Sequence, residues 1–356
     1  MGRGGRDNGH TEALTHEHQR LRLPVDLHWF EDGLHVIAAW PGYEDLLAAR
    51  VVAIEGEPPE ALLTVLQDYS PGTDEHARIL SGYFLERPEL LAGIGRAAAP
   101  DALTIAFAPP SGPSLTLTLP AVAGESTSRA GDALHLLDGV DPLPLYLREP
   151  EKAAYLEWLP EIDAVYLRIN RNDDQGLPSD LDRFLSAIEE RTPRNAIVDL
   201  RLNGGGNYRL TAPFAEALPD RIPNKGRVVL IIGNETFSAG IVTAAILKAR
   251  AGPRALVVGD RAGDDLQYWS EGDFLALPNS GLRIHYSDGY HDWRNGYQTD
   301  DPRYRTNPRI AELNRRFSVA AGSLDPDVRV PLRFADYAAG RDPAMAKVYS
   351  ILGDTQ

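Results

Sequence analysis

Residues 227–251 read RVVLIIGNETFSAGIVTAAILKARA. An apolar, β-branched run from Val228 to Ile232 meets a polar turn at Gly233, Asn234 and Glu235, and a run of small apolar residues begins at Ala239. The first run reads as a buried strand. The second reads as a helix starting near Phe237 and Ser238, because no earlier cap precedes it. A serine in that first turn lies among free backbone N–H groups at the positive end of the helix dipole, which favours an alkoxide or an oxyanion. The plainer use of serine at this position is an ordinary N-cap.

Upstream, residues 196–208 (AIVDLRLNGGGNY) repeat the event: an apolar strand runs into Asn203, Gly204, Gly205, Gly206 and Asn207. Consecutive glycines admit positive φ and let bare N–H groups approach a ligand, as in a nest for a negative oxygen; a flexible turn is the alternative. Around both junctions strands and helices alternate, through AVYLRI (164–169), LDRFLSAIEER (181–191), YRLTAPFAEAL (208–218) and ALVVGD (255–260). This alternation predicts an α/β layout with a largely parallel sheet. Adjacent parallel strands would set the glycine loop beside Ser238 at the sheet's carboxyl edge, where ligands bind in such folds. After Asp260 the pattern loosens into long loops and short strands.

The first third of the chain has a different texture. Residues 21–125 are β-rich, with LHVIAAW (34–40), ARVVAIEG (49–56), ALTIAFAPP (102–110) and SLTLTLPAV (114–122), and helices are predicted over 58–69 and 77–95. Residues 1–20 form a polar arm. Residues 126–150, next to the small polar run VAGESTSRAGD (122–132), form a linker, and residues 151–356 form the second domain.

Composition removes several function classes. The 356 residues carry a formal charge of -15, which argues against a nucleic-acid partner, and no cysteine, which excludes disulfides, thiolate metal sites and a cysteine nucleophile. No run of about 18 apolar residues could span a bilayer. The opening MGRGGRDNGHTEA lacks the apolar region of a signal peptide, so the chain as written reads as cytoplasmic; a periplasmic or secreted location stays open if residues precede Met1.

VDLRLNGGG (198–206), NETFSAGIVTAA (234–245), ALVVGD (255–260) and LDPDVRVPLRFADYAAGRDP (324–343) together resemble the tail-specific (C-terminal-processing) and tricorn-core serine proteases, closer to the tricorn-like branch. The resemblance implies a crotonase-like ββα spiral for the catalytic domain and Ser238 as nucleophile. It implies an oxyanion hole from the amide of Ala239 and one in the Gly204–Gly206 loop, carried over to Gly205 with one residue of latitude. It also implies a PDZ-like module in residues 21–125, of the kind that adds an extended peptide to a sheet edge; a β-rich packing subdomain is the alternative.

The proton acceptor decides the branch. Tail-specific proteases use a lysine about 25 residues after the serine, but DRAGDDLQYW (260–269) has none, and Lys248 lies about 15 Å along the same helix. Tricorn-like members use an upstream histidine, and DNGHTEA (7–13) places His10 there, a group whose ordinary pKa suits proton removal at neutral pH. His285 and His291 compete with it. The orienting acid of the tricorn pattern falls at Ala320, so Asp288 or Asp292 from the 271–293 segment is expected in that role.

Other features have bland readings. His16 and His18 lack a third metal ligand; Asp260, Asp264 and Asp265 read as an acidic turn rather than a cation site; Tyr286, Tyr290, Trp293 and Tyr297 either line a cleft or cover the sheet edge. No cofactor and no metal are called for. The expected activity is hydrolysis of peptide bonds in a peptide or unfolded protein, with an inactive peptide-binding scaffold and a non-peptidase acyl hydrolase as alternatives, and with self-association left open.

Overall fold

A computed structural model describes residues 10, 12–14, 21–70, 72–123, 133–279, 281 and 283–353. Most of the predicted arm, including His16 and His18, and the 124–132 part of the predicted boundary lie outside the described residues. Two main sheets dominate. In the second, strand Ala154–Leu159 pairs antiparallel with Ala164–Ile169, and from there Asn195–Asp199, Val228–Ile232, Ala255–Gly259 and Val328–Arg329 follow in parallel.

Both faces of this sheet are covered, which is why its strands are continuous apolar runs rather than alternating ones. Val165, Leu167, Val198, Leu230 and Ile232 pack on one side with Leu181 and Leu185, Phe214 and Ile241. Tyr166, Ile197, Val229 and Ile231 pack on the other with Met345 and Val348. Before this sheet come helices α1 (Pro59–Leu66), α2 (Asp74–Leu85) and α3 (Pro88–Gly93); with it come α4 (Leu177–Arg191), α5 (Ala212–Arg221), α6 (Ala239–Ala251), α7 (Pro308–Arg316), α8 (Phe334–Ala338) and α9 (Pro343–Gly353). Every residue of α6 from Ala239 to Leu247 is buried, and its many Ala and Gly residues permit that close approach on all sides.

The β-rich first third forms an antiparallel sheet in the order Val25–Phe30, Gly33–Ala39, Arg50–Ile54, Ala102–Ala108, Leu115–Pro120. The single helix expected over 77–95 is two helices. Arg87 is extended at φ -121° and ψ 97°, as the residue before Pro88 must be to avoid the proline ring, and the proline opens α3. The segment read as a linker is partly packed: Leu134–His135 adds to strand Gly33–Ala39, and Tyr146 is buried.

Residues 260–330 carry two antiparallel pairs, Gln267–Ser270 with Gly289–Asp292 and Asp273–Ala276 with Arg283–Tyr286. Strand Glu12–Leu14 joins the latter, with Glu12 opposite His285. That pairing brings the N-terminal segment to the carboxyl edge of the main sheet. Among the described residues, no helix is long and apolar enough to cross a membrane.

Candidate active site

The turn between strand Val228–Ile232 and α6 is closed by its own threonine. The Thr236 amide donates to the Gly233 carbonyl at 2.9 Å, and Thr236 Oγ1 both accepts from the Gly233 amide at 3.0 Å and donates to the Leu200 carbonyl at 2.8 Å. Ser238 follows at the N-cap position with φ 49° and ψ -118°. A capping serine has extended backbone angles and accepts an N–H bond from the first turn; this one does neither. A non-glycine residue in that region costs on the order of 1–3 kcal/mol, and such strain clusters at functional sites.

The glycine loop is pressed against this turn by a buried polar network. Asn203 Nδ2 donates to the Ile169 carbonyl and to Asn172 Oδ1, both at 2.9 Å, its carbonyl accepts from the Phe237 amide at 2.9 Å, and its Oδ1 accepts from the Gly205 amide at 3.0 Å. Asn172 Nδ2 donates to Thr211 Oγ1 at 3.0 Å, and Thr211 Oγ1 is 2.7 Å from Thr243 Oγ1, which donates to the Ala239 carbonyl. All four side chains are fully buried. They tie strand end, glycine loop and first turn of α6 into one unit.

The three glycines have different reasons to be glycine. At Gly205, φ is +110° and an added Cβ would lie 2.8 Å from Ser238 Cβ and 3.3 Å from its Oγ; at Gly206 it would lie 2.7 Å from the Asn172 backbone, while at Gly204 it would meet nothing within 4 Å. The Ser238 hydroxyl therefore faces the loop, as the side-by-side strands require. The Gly205 amide is bonded to Asn203 Oδ1, whereas the amides of Gly206 and Ala239 donate to no acceptor among the described residues.

The carboxylate at this turn belongs to Asp264. Its Oδ2 lies 3.2 Å from His10 Nε2 and accepts from the Ser238 amide at 3.3 Å, and its side chain is only 4% exposed. The loop carrying it is fixed from two sides. The Gly263 amide donates to the Thr236 carbonyl, and the Gly263 carbonyl accepts from Thr73 Oγ1, the N-cap of α2. A Cβ on Gly263 would fall 2.2 Å from the Asn234 carbonyl oxygen, so only glycine allows this approach.

His10 is held between two rings, Phe237 with centroids 4.8 Å away and Tyr268 at 5.2 Å. Its carbonyl accepts a hydrogen bond from His285 Nδ1 at 2.7 Å, which places His285 as a support for the segment. His76 stacks on the far face of Phe237 at 4.3 Å; burial lowers its pKa, against the pull of the Asp264 carboxylate. The Ser238 hydroxyl makes no hydrogen bond to His10; Asp264 is the group that touches both residues.

The remaining sequence candidates sit elsewhere. His291 is fully buried behind Tyr268, with Nε2 2.9 Å from both Ser270 Oγ and Glu271 Oε2. Burial alone would raise the Glu271 pKa, but the His291 hydrogen bond and charge and the Ser270 bond bring it below the usual range. Asp292, expected near the histidine, instead accepts from Gln267 and Asn295, and Asp288 accepts from Asn307. Each closes its own hairpin or turn, which fixes its direction. Lys248 Nζ donates to the Ser323 carbonyl. Tyr290 and Trp293 are buried while Tyr286 is 47% exposed, so the aromatic group mainly covers the sheet edge.

Asp264 was readable only as one of three acidic residues in a turn. The topology supplies the missing signal: its loop leaves the strand next to the serine's strand, so both loops emerge at one edge. Among the described residues no group of three or more acidic or histidine side chains could hold a metal ion.

Solved structures share this fold. Mature CPAF complexed with lactacystin matches with a TM-score of 0.58 at 13% identity, covering 99% of this chain and 86% of that one. The fold is that of CPAF. An S499A mutant of CPAF matches with a TM-score of 0.59 at 13% identity, over 97% of this chain and 84% of that one. The photosystem II D1 C-terminal processing protease matches with a TM-score of 0.38 at 13% identity, over 98% and 83%. Structures of an S41 protease from Bacteroides fragilis and of the tricorn protease are also among the neighbours, with TM-scores of 0.39 and 0.35. No family model matches the sequence, and none of the curated proteins does. The likeness to CPAF is one of fold, with mixed α/β layers and several sheets in common.

Proposed function

We propose that the chain is a serine peptidase with Ser238 as nucleophile, His10 as general base and Asp264 as the acid that orients it. The carrying observation is that one Asp264 oxygen lies within hydrogen-bond distance of both His10 Nε2 and the Ser238 amide. With Nε2 held by Asp264, His10 receives the Ser238 proton on Nδ1 as Oγ attacks the peptide carbonyl. His10 then returns that proton to the leaving amine, and water repeats the sequence on the acyl-enzyme. The negative oxygen of each tetrahedral intermediate falls to the amides of Ala239 and Gly206, which have no other acceptor among the described residues. Gly205 serves by letting the loop pass against Ser238.

In this reading residues 151–356 are a crotonase-like catalytic domain acting on peptide or unfolded-protein substrates, and the antiparallel sheet within residues 21–125 is a PDZ-like module that receives part of the substrate.

A second reading, a scaffold that keeps the fold without the chemistry, draws on the absence of a direct hydrogen bond between Ser238 and His10. Unliganded sites often have long catalytic contacts that close on substrate. A fluorophosphonate probe decides between them: labelling of the wild type, lost in Ser238→Ala and greatly slowed in His10→Ala, together with hydrolysis of an unfolded protein substrate, is expected. No labelling at Ser238 would leave the scaffold. Labelling with turnover of thioesters and not of peptides would make the chain another acyl hydrolase.

A further inference from the structure

Behind the turn that carries Ser238 lies a cavity of about 250 Å³, between the first antiparallel sheet and the carboxyl edge of the main sheet. At roughly 30 Å³ per molecule it has room for about eight waters. It does not include Ser238, His10 or Asp264.

One wall is aromatic. His28 and Phe30 are 4.8 Å apart between centroids, Phe30 and Tyr337 are 5.2 Å apart, and His28 stacks toward Tyr337 at 6.3 Å. Burial and the nearby Arg78 charge push His28 down to about 4, so this ring is neutral at pH 7 and adds no positive charge. Glu235 lines the same cavity. Its carboxylate makes no hydrogen bond or ion pair among the described residues, yet its charge reaches Tyr337, whose phenol is pushed up to about 12 by burial first and by Glu235 second.

The guanidiniums at the cavity are already engaged. Arg201 donates to Asp199 and Asp342, and Arg78 donates to the Phe30 carbonyl. Of the three carboxylates that line the cavity, Glu31 and Asp260 accept from Arg329, which lies outside the lining, and Glu235 is the one without a partner among the described residues. A single free carboxylate beside ring faces does not suit a divalent metal, which needs several oxygen ligands. It suits an organic cation, which ring faces attract within about 6 Å and a desolvated carboxylate anchors.

We propose that this cavity is a binding site for a primary ammonium group on an apolar stem, with Glu235 as its counter-ion and Phe30, Tyr337 and His28 as its walls. The ammonium can come from a small free amine or from a lysine side chain. Because Glu235 is three residues before Ser238 in one hydrogen-bonded turn, an occupant touches the support of that serine. The site stands apart from the peptidase reading, since binding is measured without turnover.

Calorimetric titration of the full chain at about pH 8.5, above the value of about 7 to which burial raises the Glu235 carboxyl, with phenethylammonium chloride and with its neutral isostere 2-phenylethanol tests it. The ammonium should bind the wild type at least about tenfold more tightly than the alcohol, and Glu235→Gln, which keeps the side chain's shape, should bring the two within about twofold. Tyr337→Leu, which keeps the acid but removes a ring, should weaken the ammonium by about fivefold. A blocked peptide with one lysine, compared with its norleucine analogue, separates the sources: lysine-selective binding assigns the site to a peptide side chain, and binding of the free amine alone assigns it to a small amine. Equal binding of ammonium and alcohol by the wild type, a preference unchanged in Glu235→Gln, or no binding of either amine source would overturn the proposal.

Discussion

Asp264 Oδ2 lies 3.2 Å from His10 Nε2, across 254 residues of sequence. The same oxygen accepts the backbone amide of Ser238, so one carboxylate fixes both the imidazole and the start of α6. An exposed ion pair would contribute little, but this acid is almost fully buried and its geometry is set by a loop that only Gly263 can form.

Asp264→Asn keeps the shape of the side chain and its bond to the Ser238 amide while removing the charge that would stabilise an imidazolium. Peptide hydrolysis is expected to fall by roughly 10²–10⁴-fold with the fold retained. Full activity in this variant, measured with the same substrate and with circular dichroism as the folding control, would remove Asp264 from the mechanism.

Gly205→Ala tests the contact between loop and nucleophile. The new methyl group would stand 2.8 Å from Ser238 Cβ at a φ of +110°, so both backbone and Ser238 must move. A displacement of about 1 Å at the reacting atoms costs about 100-fold in rate, and the strain costs about 1–3 kcal/mol of stability. Gly204→Ala, where the methyl meets open space, should change neither by much. Similar rates for the two variants would mean that the glycine loop does not shape the site.

The α/β layout was legible because the central strands are buried on both faces and so are unbroken apolar runs, and because α6 is built of small residues that nothing but close packing explains. The place of Ser238 at the start of that helix was legible for the same reason. Asp264 was not, since its direction depends on Thr73 holding the Gly263 carbonyl from 190 residues away, and no local pattern encodes that. The place of His10 beside Phe237 likewise depends on Glu12–Leu14 pairing with Arg283–Tyr286. Asp288 and Asp292 looked suitable by residue type alone; their neighbours Asn307, Gln267 and Asn295 engage them locally.

Ser238 itself offers a test of strain. Ser238→Ala and Ser238→Gly both delete the hydroxyl, but only glycine adopts φ 49° with ψ -118° freely. The glycine variant is expected to be more stable than the alanine variant by about 1 kcal/mol, even after the entropy that glycine adds to the unfolded chain. Denaturant midpoints at equal slopes give the comparison. An alanine variant as stable as the glycine one would show that this backbone carries no strain.

Glu235 makes stability depend on pH in a way one substitution can isolate. Burial pushes its carboxyl up from 4.5 to about 7. In the unfolded chain the group ionises above about pH 4.5, while in the folded protein it keeps its proton until about pH 7, so rising pH favours the unfolded state across that window. The loss is complete above pH 7 and amounts to at most ~3 kcal/mol for a shift of this size. Glu235→Gln has no such loss. Its stability should equal that of the wild type near pH 4, pull ahead between pH 4.5 and 7, and hold a constant lead above. Taking the difference between the two proteins cancels other titrating groups, including His28, whose depressed pKa makes stability fall as pH drops from 6.5 toward 4. Urea unfolding at pH 4.5, 6 and 8 measures it, and a difference independent of pH would show that the Glu235 carboxyl is not desolvated in the folded protein.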